Sequence, residues 1–163
     1  MKDKDDLGVT IRRDAPITFF AFTDYFEGFE KVEAVKELFG EETGKVLERL
    51  KVEFFSSQFG YMGVSDQDGH ILVSTHHLTH SETNVLYLDI VHELYHVKQF
   101  MNGEKLFSDD YEYVDSPVEV EAYKFTVKEA KRVGMSTEDI IEYLKVEWID
   151  EEQHGRLVKA VGL

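Results

Sequence analysis

The residues of this chain with the clearest chemical potential are His92-Glu93-Leu94-Tyr95-His96. Residues four apart on an α-helix lie on one face, so His92 and His96 can grip a single ion. Glu93 lies on the adjoining face, within reach of a water on that ion. Zinc binds imidazoles of this kind and lowers the pKa of its bound water to about 7, after which a glutamate can take the proton. The spacing therefore supplies two ligands and a general base. HExxH also arises by chance. Its surroundings argue against chance, because the flanking residues, about 82–101, are apolar on most faces: Val85, Leu88, Val91 and Tyr95 on one, Ile90, Leu94, Val97 and Met101 on another. Such a helix is buried, and two histidines and a glutamate are costly there unless something satisfies them.

The chain has no cysteine, so any metal site must be built from histidine and carboxylates, and disulfide scaffolds, zinc ribbons and cysteine nucleophiles are excluded. A catalytic zinc usually has three protein ligands and an open position, so a third ligand must come from elsewhere. The metzincin continuation, a glycine and a further histidine, is absent: Val97-Lys98-Gln99-Phe100-Met101-Asn102 follows. A later helix, opened by Ser116 at the cap and Pro117 in the first turn, carries Glu119-Val120-Glu121-Ala122-Tyr123.

HELYH followed by EVEAY resembles the gluzincin branch of zinc metallopeptidases, in which the third ligand is the glutamate of an E-x-x-A motif on a following helix. The short length is similar to that of the minigluzincins and the ImmA/IrrE-like peptidases. The resemblance covers about residues 60–130. It implies Glu119 as third ligand, with Ala122 as the small residue of the motif. Family members often have aspartate or asparagine next, supporting a ligand histidine. Tyr123 stands there in this chain, which leaves Asp115 or a backbone carbonyl for that role. Glu119 has a competing assignment, since Ser116 and Glu119 also fit a capping box; in that case Glu121 is the next candidate ligand. The resemblance further implies that the strand before the HExxH helix, here 71–75, is a sheet edge that takes the substrate chain by main-chain hydrogen bonds.

The other histidines are weaker candidates. His76, His77 and His80 precede the central helix and read as an exposed loop beside the cleft, without regular ligand spacing to a carboxylate. His154, Tyr111, Tyr113 and Tyr143 are all candidates to donate to the oxyanion of a tetrahedral intermediate.

The elements that must position these residues can be read from periodicity. The 163 residues suit a single domain over 1–163, with residues 1–14 expected to be a loose tail. Phe26, Phe29, Val32, Val35 and Leu38 predict a helix over about 24–39, stopped by Gly40, with a second through Leu50. Short segments near 51–57, 60–65 and 70–75 predict three strands, the last two joined by a hairpin at Asp66-Gln67-Asp68-Gly69. Asn102-Gly103 ends the central helix. Further helices are expected from Ser116 to Gly134, from Ser136, and from Asp150. The fold class is α+β: a small, mostly antiparallel sheet packed on a buried HExxH helix, with a C-terminal helical part.

Composition narrows the function classes. Hydrophobic residues at 42% and aromatics at 13% are too many for a disordered chain, despite a net charge of −15. That charge repels phosphate backbones, so a nucleic-acid partner is disfavoured. No run of about 18 apolar residues exists to span a membrane. The charged N-terminus lacks the apolar stretch of a signal peptide, so a cytoplasmic location is expected. Three functions are in play: a zinc-dependent peptidase, expected to be an endopeptidase, with one Zn2+ per chain, Glu93 as base and a peptide or protein substrate; a non-catalytic zincin-like module that binds zinc and a protein partner; and a helical structural protein with a chance HExxH.

Overall fold

A computed structural model describes residues 7–58 and 61–163. The N-terminal part contains β1 (Thr10–Ile11), β2 (Phe19–Ala21), α1 (Phe22–Tyr25), β3 (Phe26–Glu27), α2 (Glu33–Phe39) and α3 (Thr43–Arg49). The strands β4 (Lys51–Phe55), β5 (Met62–Val64) and β6 (Ile71–Ser74) follow. The rest is helical: α4 (Thr75–His80), α5 (Thr83–Met101), α6 (Pro117–Arg132), α7 (Thr137–Tyr143) and α8 (Glu151–Ala160).

α5 is the axis of the fold. Leu86, Leu88, Val91 and Leu94 have no exposed surface, and they point in several directions around the helix. Burial on nearly all sides follows from that distribution. α6 packs along one side of α5, while α2 and β5 cover others. The connection between α5 and α6 starts where Gly103 takes φ 78°, a left-handed conformation that glycine adopts freely.

The main sheet is mixed, in the order β2-β4-β6-β5. β5 and β6 form the expected antiparallel hairpin, in register Val64 with Ile71 and Met62 with Val73. β4 and β6 run parallel, and β2 adds an antiparallel strand that periodicity missed because it is only three residues long. The expected strand at 60–65 is Met62–Val64, and position 60 lies outside the described residues. Gly69 closes the hairpin with φ 78°, and a Cβ there would lie 2.6 Å from the Phe100 ring of α5. The turn thus presses the sheet directly against the central helix.

Three local expectations are corrected. The helix over 24–39 is broken: β3 and a 3-10 turn at Phe29–Lys31 precede α2. Gly28 sits at φ 90°, and a Cβ there would meet the Gly8 carbonyl oxygen at 2.5 Å, because β1 pairs with β3 at this point. The same pairing holds part of the segment expected to be loose. Arg13 ties it down further, donating from Nε to the Leu78 carbonyl at 2.7 Å and from Nη1 to Thr83 Oγ1 at 3.3 Å; residues 1–6 lie outside the described residues. Finally, 75–80 is a helix, not a loop, capped by Ser74. No helix among the described residues is long and apolar enough to cross a membrane.

Candidate metal centre

α5 places the His92 and His96 imidazoles one turn apart, with ring centroids 4.7 Å apart and planes at 86°. Their Nε2 atoms are separated by 3.1 Å. The first turn of α6 faces them. Glu119 Oε2 lies 3.1 Å from His92 Nε2, and Glu119 Oε1 lies 3.1 Å from His96 Nε2. Zinc bonds of about 2.0–2.1 Å at the tetrahedral angle put neighbouring donors about 3.3–3.4 Å apart, close to these spacings. Both histidines are 5% exposed. Among the described residues, His92, His96 and Glu119 are the one group of three that could hold a metal ion.

The structure separates the two glutamates of the E-x-x-A segment. Ser116 makes no side-chain cap to α6, and Glu119 is turned to the histidines instead. Glu121, two residues on and far round the helix, is exposed; it accepts from Gln99 Nε2 at 3.4 Å.

The supports of the histidines are residues that sequence reasoning missed. His96 Nδ1 lies 2.6 Å from Gln99 Oε1, and the Gln99 amide nitrogen donates to the Val118 carbonyl at 3.1 Å. That second bond orients the amide, so its oxygen accepts from Nδ1–H and leaves the His96 Nε2 lone pair for an ion. Thr126, fully buried, donates its hydroxyl to the Ala122 carbonyl at 2.8 Å, so its oxygen can accept from His92 Nδ1 at 3.4 Å. The Tyr123 ring lies against His92 at 4.2 Å. Asp115, one of the two supports expected, is instead paired with Arg156. The spacings held a signal: Gln99 is three residues after His96, and Thr126 is seven after Glu119, each on its ligand's helix face.

Electrostatics couples the cluster. Burial would raise Glu119, but hydrogen bonds from His92 and His96 outweigh it and hold the carboxyl well below the usual range. Burial would lower His96, but the Glu119 carboxylate outweighs it and holds the imidazole up at about 9. Glu93 behaves differently. Burial raises it to about 7, although His92 and His96 oppose this. It is 6% exposed, and its Oε2 has no hydrogen-bond partner among the described residues. A buried carboxylate oxygen without a partner is costly. The two-nitrogen, one-oxygen donor set suits zinc, and a water on such an ion would satisfy Glu93. The residues present therefore fit the ion that the motif implies.

A cleft of ≈ 850 Å3 opens over the cluster. β5 forms one wall, with Tyr61 just before it. The sheet edge beside the cluster is thus β5; β6, the strand expected to be the edge, is paired on both sides. Tyr113 and Tyr143 line the cleft, whereas Tyr111 and His154 do not. Tyr143 donates to Asp89 Oδ1 at 2.6 Å, Tyr113 and Tyr123 share a hydrogen bond of 2.5 Å, and His154 bonds to the Ile141 carbonyl. His76, His77 and His80 also line it without forming a second cluster. His77 pairs with Asp89 at 2.7 Å, and the rings of His76 and His80 stack.

Comparison of the chain with protein-family models, curated proteins and solved structures gives no match. What ties this protein to an HExxH…E zincin-like site is the buried triad on α5 and α6.

Proposed function

We propose that this protein is a zinc-dependent peptidase, with His92, His96 and Glu119 as the metal ligands and Glu93 as general base. The observation that carries the reading is the unpartnered, buried Glu93 oxygen beside a His-His-Glu triad at the floor of a cleft. A site that only stabilised the fold would have no use for a buried base there. When bound, the ion supplies Lewis-acid polarisation of the scissile carbonyl and an acidified water. Glu93 accepts the proton of the attacking water and passes it to the leaving amine nitrogen. The outer side of β5 has no strand partner among the described residues, and an extended substrate can add to it by main-chain hydrogen bonds. Strand addition holds the chain on both sides of the scissile bond, which favours endopeptidase action.

The experiment is metal analysis of protein purified without added metal, followed by incubation of the zinc-loaded chain with a diverse peptide library read by mass spectrometry. About one zinc per chain, and cleavage abolished by a chelator and restored by zinc, is the expected result. No zinc uptake would overturn the assignment. Zinc uptake with a tight protein partner and no cleaved peptide would favour the non-catalytic reading.

A further inference from the structure

The cleft walls outside the triad have a chemistry of their own. Three large hydrophobic side chains that remain well exposed line it: Tyr61 at 38%, Phe107 at 53% and Trp148 at 47%. They come from three separate segments: the start of β5, the connection after α5 and the connection after α7. Trp148 stands edge-on to Tyr61 at 6.4 Å and to Tyr113 at 5.4 Å, so it links the sheet wall to the helical wall. The Tyr61 ring in turn lies over Gly63, where a Cβ would be 2.8 Å from the Tyr61 hydroxyl. An aromatic surface of this kind, left open beside a strand edge, suits an apolar side chain of an extended peptide.

The charge of the same walls is one-sided. Glu82, Asp139, Glu142 and Glu147 line the cleft, and none is in an ion pair among the described residues. Asp89 is already occupied by His77 and Tyr143. Among the described residues that line the cleft, Lys145 is the single lysine or arginine. Four free carboxylates against one ammonium attract cations and repel anions, and the net charge of −15 adds to the field. The floor of the same cleft holds the buried, unpartnered Glu93 oxygen, an observation separate from the wall charges that also marks the cleft as a place where a ligand is received.

We infer that the cleft selects basic peptide segments in which an apolar or aromatic residue is flanked by lysine or arginine. The apolar residue packs among Tyr61, Phe107 and Trp148, and its cationic neighbours face Glu142 and Glu147. This inference rests on the peptidase reading for its purpose but not for its measurement, which is binding. Trp148 is the only tryptophan of the chain, so its fluorescence reports occupancy of the cleft directly.

The experiment titrates the zinc-loaded Glu93→Gln full-length chain with two capped hexapeptides, Ala-Lys-Leu-Phe-Lys-Ala and Ala-Glu-Leu-Phe-Glu-Ala, following Trp148 emission. The lysine peptide should bind at least about tenfold more tightly at low salt, and the gap should shrink in about 0.5 M NaCl. Replacing Leu-Phe by Ser-Ser should abolish the emission change. The double variant Glu142→Lys/Glu147→Lys should cut the preference at least about fivefold. Equal or tighter binding of the glutamate peptide, or a preference unchanged in the double variant, overturns the inference. A lysine peptide that binds as stated but is never cut by the wild-type protein sustains the inference while the peptidase reading fails. Cleavage confined to acidic peptides does the reverse.

Discussion

Gln99 bridges the two halves of the candidate metal centre: its amide oxygen lies 2.6 Å from His96 Nδ1, and its amide nitrogen donates to the Val118 carbonyl at 3.1 Å. Val118 immediately precedes Glu119, so one side chain orients a candidate ligand on α5 and anchors the backbone that carries a candidate ligand on α6. Gln99 is 1% exposed. Replacing Gln99 by alanine should weaken zinc binding by about 10–100-fold, the usual cost of losing a ligand's hydrogen-bonded support. Competition against a chromophoric chelator measures this. Unchanged affinity would show that the histidine is oriented by packing alone.

Ligand identity can be tested by comparison within one helix turn. Glu119 faces both imidazoles at 3.1 Å, and Glu121 is exposed. Glu119→Gln should lose far more zinc affinity than Glu121→Gln. His92→Ala and His96→Ala should each abolish stoichiometric binding. The reverse order for the two glutamates would return Glu119 to the role of a helix cap.

Glu93 separates the enzyme from the binder. Glu93→Gln keeps the shape of the side chain but cannot take up the proton. It should retain the fold and the zinc, and lower the hydrolysis rate by at least about 10²-fold. A variant that cleaves the same peptide at the wild-type rate rules out Glu93 as the base.

Protein stripped of metal by a chelator should lose stability as pH rises. Glu93 is raised from 4.5 to about 7, so the folded chain holds a proton that the unfolded chain releases earlier. Its contribution is present below about 4.5 and lost as pH rises through about 7. His96, raised from 6.5 to about 9, adds a contribution present below about 6.5 and lost as pH passes about 9. Urea unfolding midpoints should fall from about pH 5 to about pH 9. Glu93→Gln should flatten the lower part of that fall, and at about pH 8 it should be more stable than wild type by about 1–3 kcal/mol. A less stable variant at that pH contradicts the burial of an unpartnered carboxylate.

Gly28→Ala tests the N-terminal packing. Gly28 has φ 90° and stands where a Cβ would press on the Gly8 carbonyl. The substitution should destabilise by about 1–3 kcal/mol, read as a lower urea midpoint with zinc affinity retained. A midpoint equal to wild type would mean that the β1–β3 pairing yields without cost.

Local regularities made part of this protein legible from its residues. The four-residue spacing of His92 and His96, the apolar positions around α5 and the turn at Gly69 are short-range properties of one helix or one hairpin, and the structure has each of them. The start of α6 at Ser116-Pro117 is of the same kind. Relations between segments distant in the chain were not legible. The E-x-x-A resemblance favours Glu119, but residue type alone does not separate it from Glu121; the rotation of α6 against α5 does, by turning Glu119 to the imidazoles and leaving Glu121 exposed. Which strand is the edge depends on the parallel pairing of β4 with β6, a crossover that periodicity does not encode. The pattern over 24–39 is helical in period, yet β1 and Gly28 break it, because a contact made from residues near position 10 outweighs a weak local preference. Spacing places Gln99 and Thr126 on the right helix faces, but only packing decides that these side chains reach the imidazoles. Helix faces and turns are set within a few residues, whereas ligand choice, sheet order and the supports of a site are set by packing between segments that the sequence leaves far apart.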